Sequence, residues 1–409
     1  MTASQPHAVD PFAPARLGPL TLRNRFVKAA TFEGLTRDHV VNQRLIEFHR
    51  TVARGGVGMT TLAYCAVTRD GCGTPNELVL TRDLVPGLRR LADAVHAEGA
   101  AVAAQIGHAG AVAASTGHRA ISPSPVFSPL AMRRTRAASS DDIVRIVRAF
   151  GNAARVVADG GFDAVEIHLG HGYLPSEFLS PRLNKRGDDW GGSLENRAKL
   201  AREIVRVVRD AVHDRLAVTA KLNMADGVRG GLWLDESVEV ARMLESDGCL
   251  DAIELTAGSS LQNPMYLFRG EPPVVEMSRT VPRALRPAFR LFGGRFLRSY
   301  PFQEAYLLPY ARQFRDALSM PLILLGGVNR IETVHQAMAE GFQFVALGRA
   351  LLREPDLIER WRAGRLTESL CVHCNKCMVT IYRGTHCVLV SQDRQPWLRP
   401  RGEQSVTVS

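Results

Sequence analysis

Eight times along this chain a short apolar run is followed by a longer amphipathic stretch, and that recurrence narrows the available folds more than any other feature. Aliphatic and β-branched runs over 26–29, 57–64, 100–106, 164–167, 217–222, 251–255, 322–325 and 343–347 have the length and composition of buried strands. Helical periodicity follows each of them, or its long loop, over 42–53, 84–98, 141–158, 194–212, 235–246, 303–318, 331–339 and 355–362. Glycines close several of these helices, at Gly55-Gly56, Gly99 and Gly160-Gly161, while Ser139, Ser140 and Asp141 offer N-caps to the third. Strands alternating with helices imply a parallel sheet with right-handed crossovers. Eight units predict a closed α/β (β/α)8 TIM barrel, a single domain over 10–390, rather than an open doubly wound sheet.

With 409 residues and 45% hydrophobic composition the chain can bury a core of that size. No apolar stretch approaches membrane-spanning length and the first residues lack a basic region followed by an apolar one, so a soluble, cytoplasmic protein is expected. Seven cysteines, four of them crowded near the C-terminus, argue against a disulfide framework. The net charge of +10 comes from scattered arginines without a nucleic-acid motif. Neither nucleic acid nor a membrane is an expected partner; a small-molecule substrate is, and self-association is left open.

The densest polar stretch, 163–197, begins with a strand. His168, His171 and Tyr173 follow it within six residues, and Gly170 and Gly172 prevent a helix from continuing through them. That places two imidazoles and a phenol at the C-terminal mouth of a barrel strand, where active sites are built. Two imidazoles can ligate a metal, act as an acid/base pair, or donate jointly to an oxygen that gains charge. A metal would need a third ligand; Glu166 shares the face of His168, but no recognised metal motif accompanies it. Paired donors with Tyr173 as proton donor are the preferred reading. A metal-dependent barrel lyase or hydrolase with His168 and His171 as ligands is the alternative.

Two loops exceed the usual length: 110–140, and 257–300, which carries Met265, Tyr266, Phe268, Phe292 and Phe296 and suggests a substrate lid over a roomy apolar pocket. Gly326-Gly327 and Gly348-Arg349 directly follow the last two strands, where barrels bind phosphate. The end, 391–409, has no periodicity and reads as a loosely held tail.

Taken together, Leu22-Arg23-Asn24-Arg25-Phe26-Val27-Lys28, Gln105-Ile106-Gly107-His108-Ala109-Gly110, the 168–184 stretch, Gly191-Gly192-Ser193-Leu194-Glu195-Asn196-Arg197 and Leu347-Gly348-Arg349 resemble the old yellow enzyme family of FMN-dependent NAD(P)H:flavin oxidoreductases over roughly 10–390. The resemblance implies that Gln105 bonds the pyrimidine edge of FMN, that Lys221 sits by flavin N1 and O2, and that Gly326, Gly327, Gly348 and Arg349 hold its phosphate. His168 and His171 would bind a carbonyl or nitro oxygen and Tyr173 would protonate the α-carbon, giving ping-pong reduction of an electron-poor C=C at the expense of NADH or NADPH. Dehydrogenation or desaturation is the same chemistry in reverse. Near flavin N5 the chain departs from the family: Ala30, Thr31 and Phe32 stand there, with Phe32 the apparent counterpart of a Thr or Cys. Ala111 stands where an arginine is common.

Cys371-x2-Cys374-x2-Cys377-x9-Cys387 is similar to a segment that holds an iron–sulfur cluster in relatives resembling dienoyl-CoA reductase, with the third cysteine one residue early and a shorter gap to the fourth. Plain thiols are the first expectation, an iron–sulfur cluster the second and zinc the third.

Overall fold

The computed structural model describes residues 9–36, 39–113, 119–128 and 131–399. Its eight central strands are β1 (Phe26–Lys28), β2 (Met59–Ala66), β3 (Ala101–Gly107), β4 (Ala164–Leu169), β5 (Ala217–Asn223), β6 (Ala252–Thr256), β7 (Leu322–Leu324) and β8 (Phe344–Leu347). All pair in parallel with their sequence neighbours, and β8 returns to β1 through Val345 opposite Phe26, so the sheet closes. Around it run α1 (Gln43–Arg54), α2 (Val85–His96), α3 (Ser140–Asp159), α4 (Leu194–Val212), α5 (Leu234–Ser246), α6 (Leu308–Ala317), α7 (Ile331–Ala339) and α8 (Leu357–Arg362). The protein is a TIM barrel. Among the described residues no helix is long and apolar enough to cross a membrane.

Strand alternation sorts the side chains into two cores. Outward residues such as Val165, Ile167, Leu169, Val218 and Leu222 pack under the helices. Inward ones form a small-residue floor of Ala103, Ala164, Ala217 and Ala252 with Met59 and Phe344. An antiparallel hairpin, Ala15–Leu17 with Leu20–Leu22, closes that floor from below by inserting Leu17 and Leu22. One alternation higher the inward residues turn polar, and the site begins there.

Helix α3 starts at a capping box: Ser139 Oγ accepts from the Asp142 amide, and the Asp142 carboxylate accepts from the Ser139 amide. Helix α6 begins five residues later than the pattern from 303 predicts. Ala305 lies in the left-handed region, and Pro309 occupies the first helical turn, where proline starts a helix readily. The tail expected over 391–409 is held as far as Arg399. Trp397 is buried edge-on against Phe48, its carbonyl accepts from Arg44 Nε, and its indole N–H donates to the Thr385 carbonyl. The remaining residues, 400–409, lie outside the described ones, as do 114–118 and 129–130 of the first long loop.

Candidate active site

Along β4 the inward residues are Glu166 and His168, opposite Gln105 of β3 and Lys221 of β5 respectively. The chain then turns. His171 adopts φ of +60°, uncommon for a side chain of its size, and is held there by its amide donating to Asn223 Oδ1 at 3.1 Å. Its Nε2 lies 2.8 Å from Thr256 Oγ1 at the end of β6. The ring centroid of His168 lies 4.9 Å from that of His171 and 4.6 Å from that of Tyr173, and Tyr173 meets Tyr64 at 5.0 Å. Gly107 is a packing requirement: a Cβ there would lie 2.6 Å from Tyr64 and 3.2 Å from His168.

Electrostatically this cluster is built to stay neutral. Burial, with the nearby His171 and Lys221, holds His168 well below the usual imidazole range, and burial followed by Lys221 lowers His171 to about 3. Burial also keeps the Tyr173 phenol above its ordinary value, so it retains its proton. Two neutral imidazoles each offer one N–H, and His168 Nδ1 is buried without a partner.

Beneath them sits a charged layer. Lys221 Nζ lies 3.0 Å from Glu166 Oε1 and 2.9 Å from Glu254 Oε1, and Gln105 Nε2 donates to Glu166 Oε1 at 2.7 Å. Burial pulls the ammonium down, but the two carboxylates outweigh it and raise the Lys221 pKa. Burial pushes Glu254 up to about 8 despite Lys221, with help from Glu166.

A second buried lysine stands behind the wall. Lys28 of β1 points outward toward α1, 3.6 Å from Glu33 Oε1, with Phe48 beside it. Glu33 also accepts from the Ala63 amide and approaches His49 Nε2 at 3.3 Å. Burial lowers Lys28 to about 8, which Glu33 only partly opposes.

The remaining expected residues occupy the rim. Ala30 packs with Tyr173 against Ala63 and Tyr64. Thr31 Oγ1 is buried without a partner and its methyl faces Gly348, where a Cβ would meet nothing nearer than that methyl at 3.5 Å. Phe32 gives its carbonyl to Thr385 Oγ1. Gly326 and Gly327 take φ of +117° and +76° and are backed by Leu307 and Tyr306, so a side chain at either would collide. The Arg349 guanidinium is engaged by the Arg269 carbonyl at 2.9 Å and by Asn375 Oδ1. Unpartnered Thr31 Oγ1 and His168 Nδ1, the open Gly348 and the left-handed glycine pair fit a polar planar ligand with an anionic end.

Loop 257–300 divides in two. Its inner part belongs to the site: Ser259 bridges His171, and the Ser260 amide donates to the His171 carbonyl. Met265 and Tyr266 are buried, whereas Phe292 and Phe296 face solvent. The four C-terminal cysteines line one small cavity together with Arg349 and Arg353. Burial raises the Cys371 thiol and pushes Cys377 up to about 12. Among the described residues no three His, Cys, Asp or Glu side chains converge tightly enough to hold a single metal ion, which withdraws support from zinc there and from a metal on His168 and His171. Glu166, which shares the face of His168, is committed to Gln105 and Lys221.

Residues 10–255 match the NADH:flavin oxidoreductase / NADH oxidase family. The chain belongs to that family. It is an FMN-dependent NAD(P)H oxidoreductase of the old yellow enzyme type. It is similar to a 4,4'-dithiodibutanoate disulfide reductase of Rhodococcus erythropolis, 53% identical over 92% of this chain and 94% of that one. It is also similar to a metal reductase of Desulforamulus reducens, 33% identical over 91% of this chain, though it spans only 52% of that protein. Among solved structures, a 2-naphthoyl-CoA reductase with its 2-naphthoyl-CoA ligand superposes with a TM-score of 0.80 at 25% identity, covering 95% of this chain and 58% of that one.

Four residues in and behind the site escape the sequence reading. Glu254, a charge inside an apolar strand, and Lys28, ending another, were visible as anomalies. Thr256 and Asn223, which fix His171, carry no signal without knowing which strands are neighbours.

Proposed function

We propose that this enzyme reduces electron-poor C=C bonds of the α,β-unsaturated carbonyl class, with His168, His171 and Tyr173 acting on the acceptor. The carrying observation is the convergence of two imidazoles held neutral, one with an unpartnered buried nitrogen, beside a phenol that keeps its proton. FMN held here would supply hydride transfer between NAD(P)H and the acceptor, and one flavin serving both would give a ping-pong order. Gln105 and Lys221 would hold its ring, with Ala30, Thr31 and Phe32 at one edge, and Gly326, Gly327, Gly348 and Arg349 would hold its phosphate. The imidazole N–H groups of His168 and His171 bind the acceptor oxygen and stabilise the charge that grows there, each contributing on the order of 3 kcal/mol. Tyr173 releases its phenolic proton to the α-carbon.

A second acceptor class rests on the disulfide reductase similar to this chain over nearly its whole length. A disulfide that takes the hydride breaks its S–S bond into one thiol and one thiolate. A second cofactor, an iron–sulfur cluster, rests on Cys371, Cys374, Cys377 and Cys387 sharing one cavity; iron and acid-labile sulfide assayed on anaerobically purified protein test it, and absence of both removes it.

The acceptor reading is tested by turnover of cyclohexenone and of an aliphatic disulfide by wild type and by H168A/H171A. Loss confined to the enone supports the donor pair. Equal loss of NAD(P)H-dependent flavin reduction contradicts it.

A further inference from the structure

The outer half of the 257–300 insertion has no part in the chemistry above, and its surface combines cationic and apolar side chains. From Arg279 to Arg298 it carries six arginines and no acidic residue. Among the described residues none of the six pairs with a carboxylate; the nearest in sequence, Glu276, is taken by Lys376 at 3.0 Å. Arg286 and Arg290 are instead steadied by the Arg279 carbonyl and Ser278 Oγ, each at 3.1 Å, and Arg295 lies over the Phe292 ring. Large apolar side chains share this surface: Leu291 is 75% exposed, Leu285 57%, Phe292 52% and Phe296 36%. The segment is nevertheless anchored, with Leu297 and Gly293 buried and with Phe289 and Val274 both packed against Gly293. It rises from the barrel mouth, where Gly270 bonds Tyr300 across its base.

We propose that this segment, 279–298, docks the enzyme on an anionic phospholipid surface, with the arginines on lipid phosphates and Leu291, Phe292 and Phe296 entering the acyl boundary. Exposed leucine and phenylalanine interleaved with unpaired arginine is the composition of an interfacial element. A purely polyanionic ligand would leave the apolar side chains in water. A second copy of this chain is disfavoured, because apposing two such patches on molecules of net charge +10 brings like charges together. The expectation of no membrane partner rested on the lack of a spanning-length apolar run, and surface docking needs none. The proposal is independent of the acceptor assigned above.

The test is co-sedimentation of the full-length flavoprotein with vesicles of phosphatidylcholine alone and of equal parts phosphatidylcholine and phosphatidylglycerol. Binding to the anionic vesicles only, weakened by added salt, is expected. Two variants separate the contributions: R290Q/R295Q and L291S/F292S should each lower partitioning at least about tenfold, while FMN content and NAD(P)H oxidation in solution stay at wild-type levels. No vesicle binding, equal binding to both vesicle types, full binding by both variants, or a dimer in light scattering that these variants dissolve would each overturn the proposal. Loss of FMN content or turnover would bear on the catalytic reading instead.

Discussion

Two lysines are fully buried within one barrel, and their environments have opposite consequences. Lys221 lies inside the strands between Glu166 and Glu254 and is held charged above its ordinary value. Lys28 lies behind β1 with Glu33 as the carboxylate paired with it and falls to about 8. Burial is the largest influence on both, so the number of carboxylates in contact decides the outcome. The inner lysine is a fixed cation beneath the proposed catalytic residues; the outer one, with His49 and Glu33, ties β1, β2 and α1 together.

Breaking the inner cluster is expected to cost most. Lys221→Met leaves two buried carboxyl groups without their cation and should lower apo-protein stability by about 3–5 kcal/mol in urea denaturation. Next in size is the mouth above it: because the two donors serve one oxygen and their losses do not add, H168A/H171A should reduce enone turnover on the order of a thousandfold, whereas His49→Ala, in the outer cluster, should leave turnover within a few fold. A comparable loss from His49→Ala would abolish the division of labour between the two clusters. Lys28→Met should cost only about 2 kcal/mol, because Glu33 keeps the Ala63 amide and His49.

The pH dependence sharpens the contrast by its sign. Native Glu254, raised from 4.5 to about 8, binds more protons than its unfolded form between those values, so its contribution is present at low pH and is lost as pH rises through about 8. Native Lys28, lowered from 10.5 to about 8, binds fewer protons than its unfolded form between those values, so stability recovers as pH climbs from about 8 toward 10.5. Urea midpoints across this range should show E254Q flattening the acid-side slope and Lys28→Met the alkaline-side one. At the small end, Arg242→Ala removes an exposed pair with Glu239 and should cost less than about 1 kcal/mol.

The barrel was legible because each strand and helix announces itself locally: all eight strands lie within two residues of where period and glycine punctuation put them. His168, His171 and Tyr173 were legible for the same reason, being close in sequence. The Glu166–Lys221–Glu254 layer was not, since its members come from three strands whose register only closure of the sheet fixes. Segment 391–399 was missed because a single tryptophan has no period, yet Trp397 fills a space against Phe48 from the far end of the chain.

The most direct measurement is the anaerobic absorption spectrum of the purified protein, followed through addition of NADH or NADPH and then cyclohexenone. A bound-flavin spectrum that bleaches with the nicotinamide and recovers with the enone is the predicted result. A protein that holds no FMN, even after reconstitution, or a bleached flavin that the enone leaves unchanged, would contradict the account.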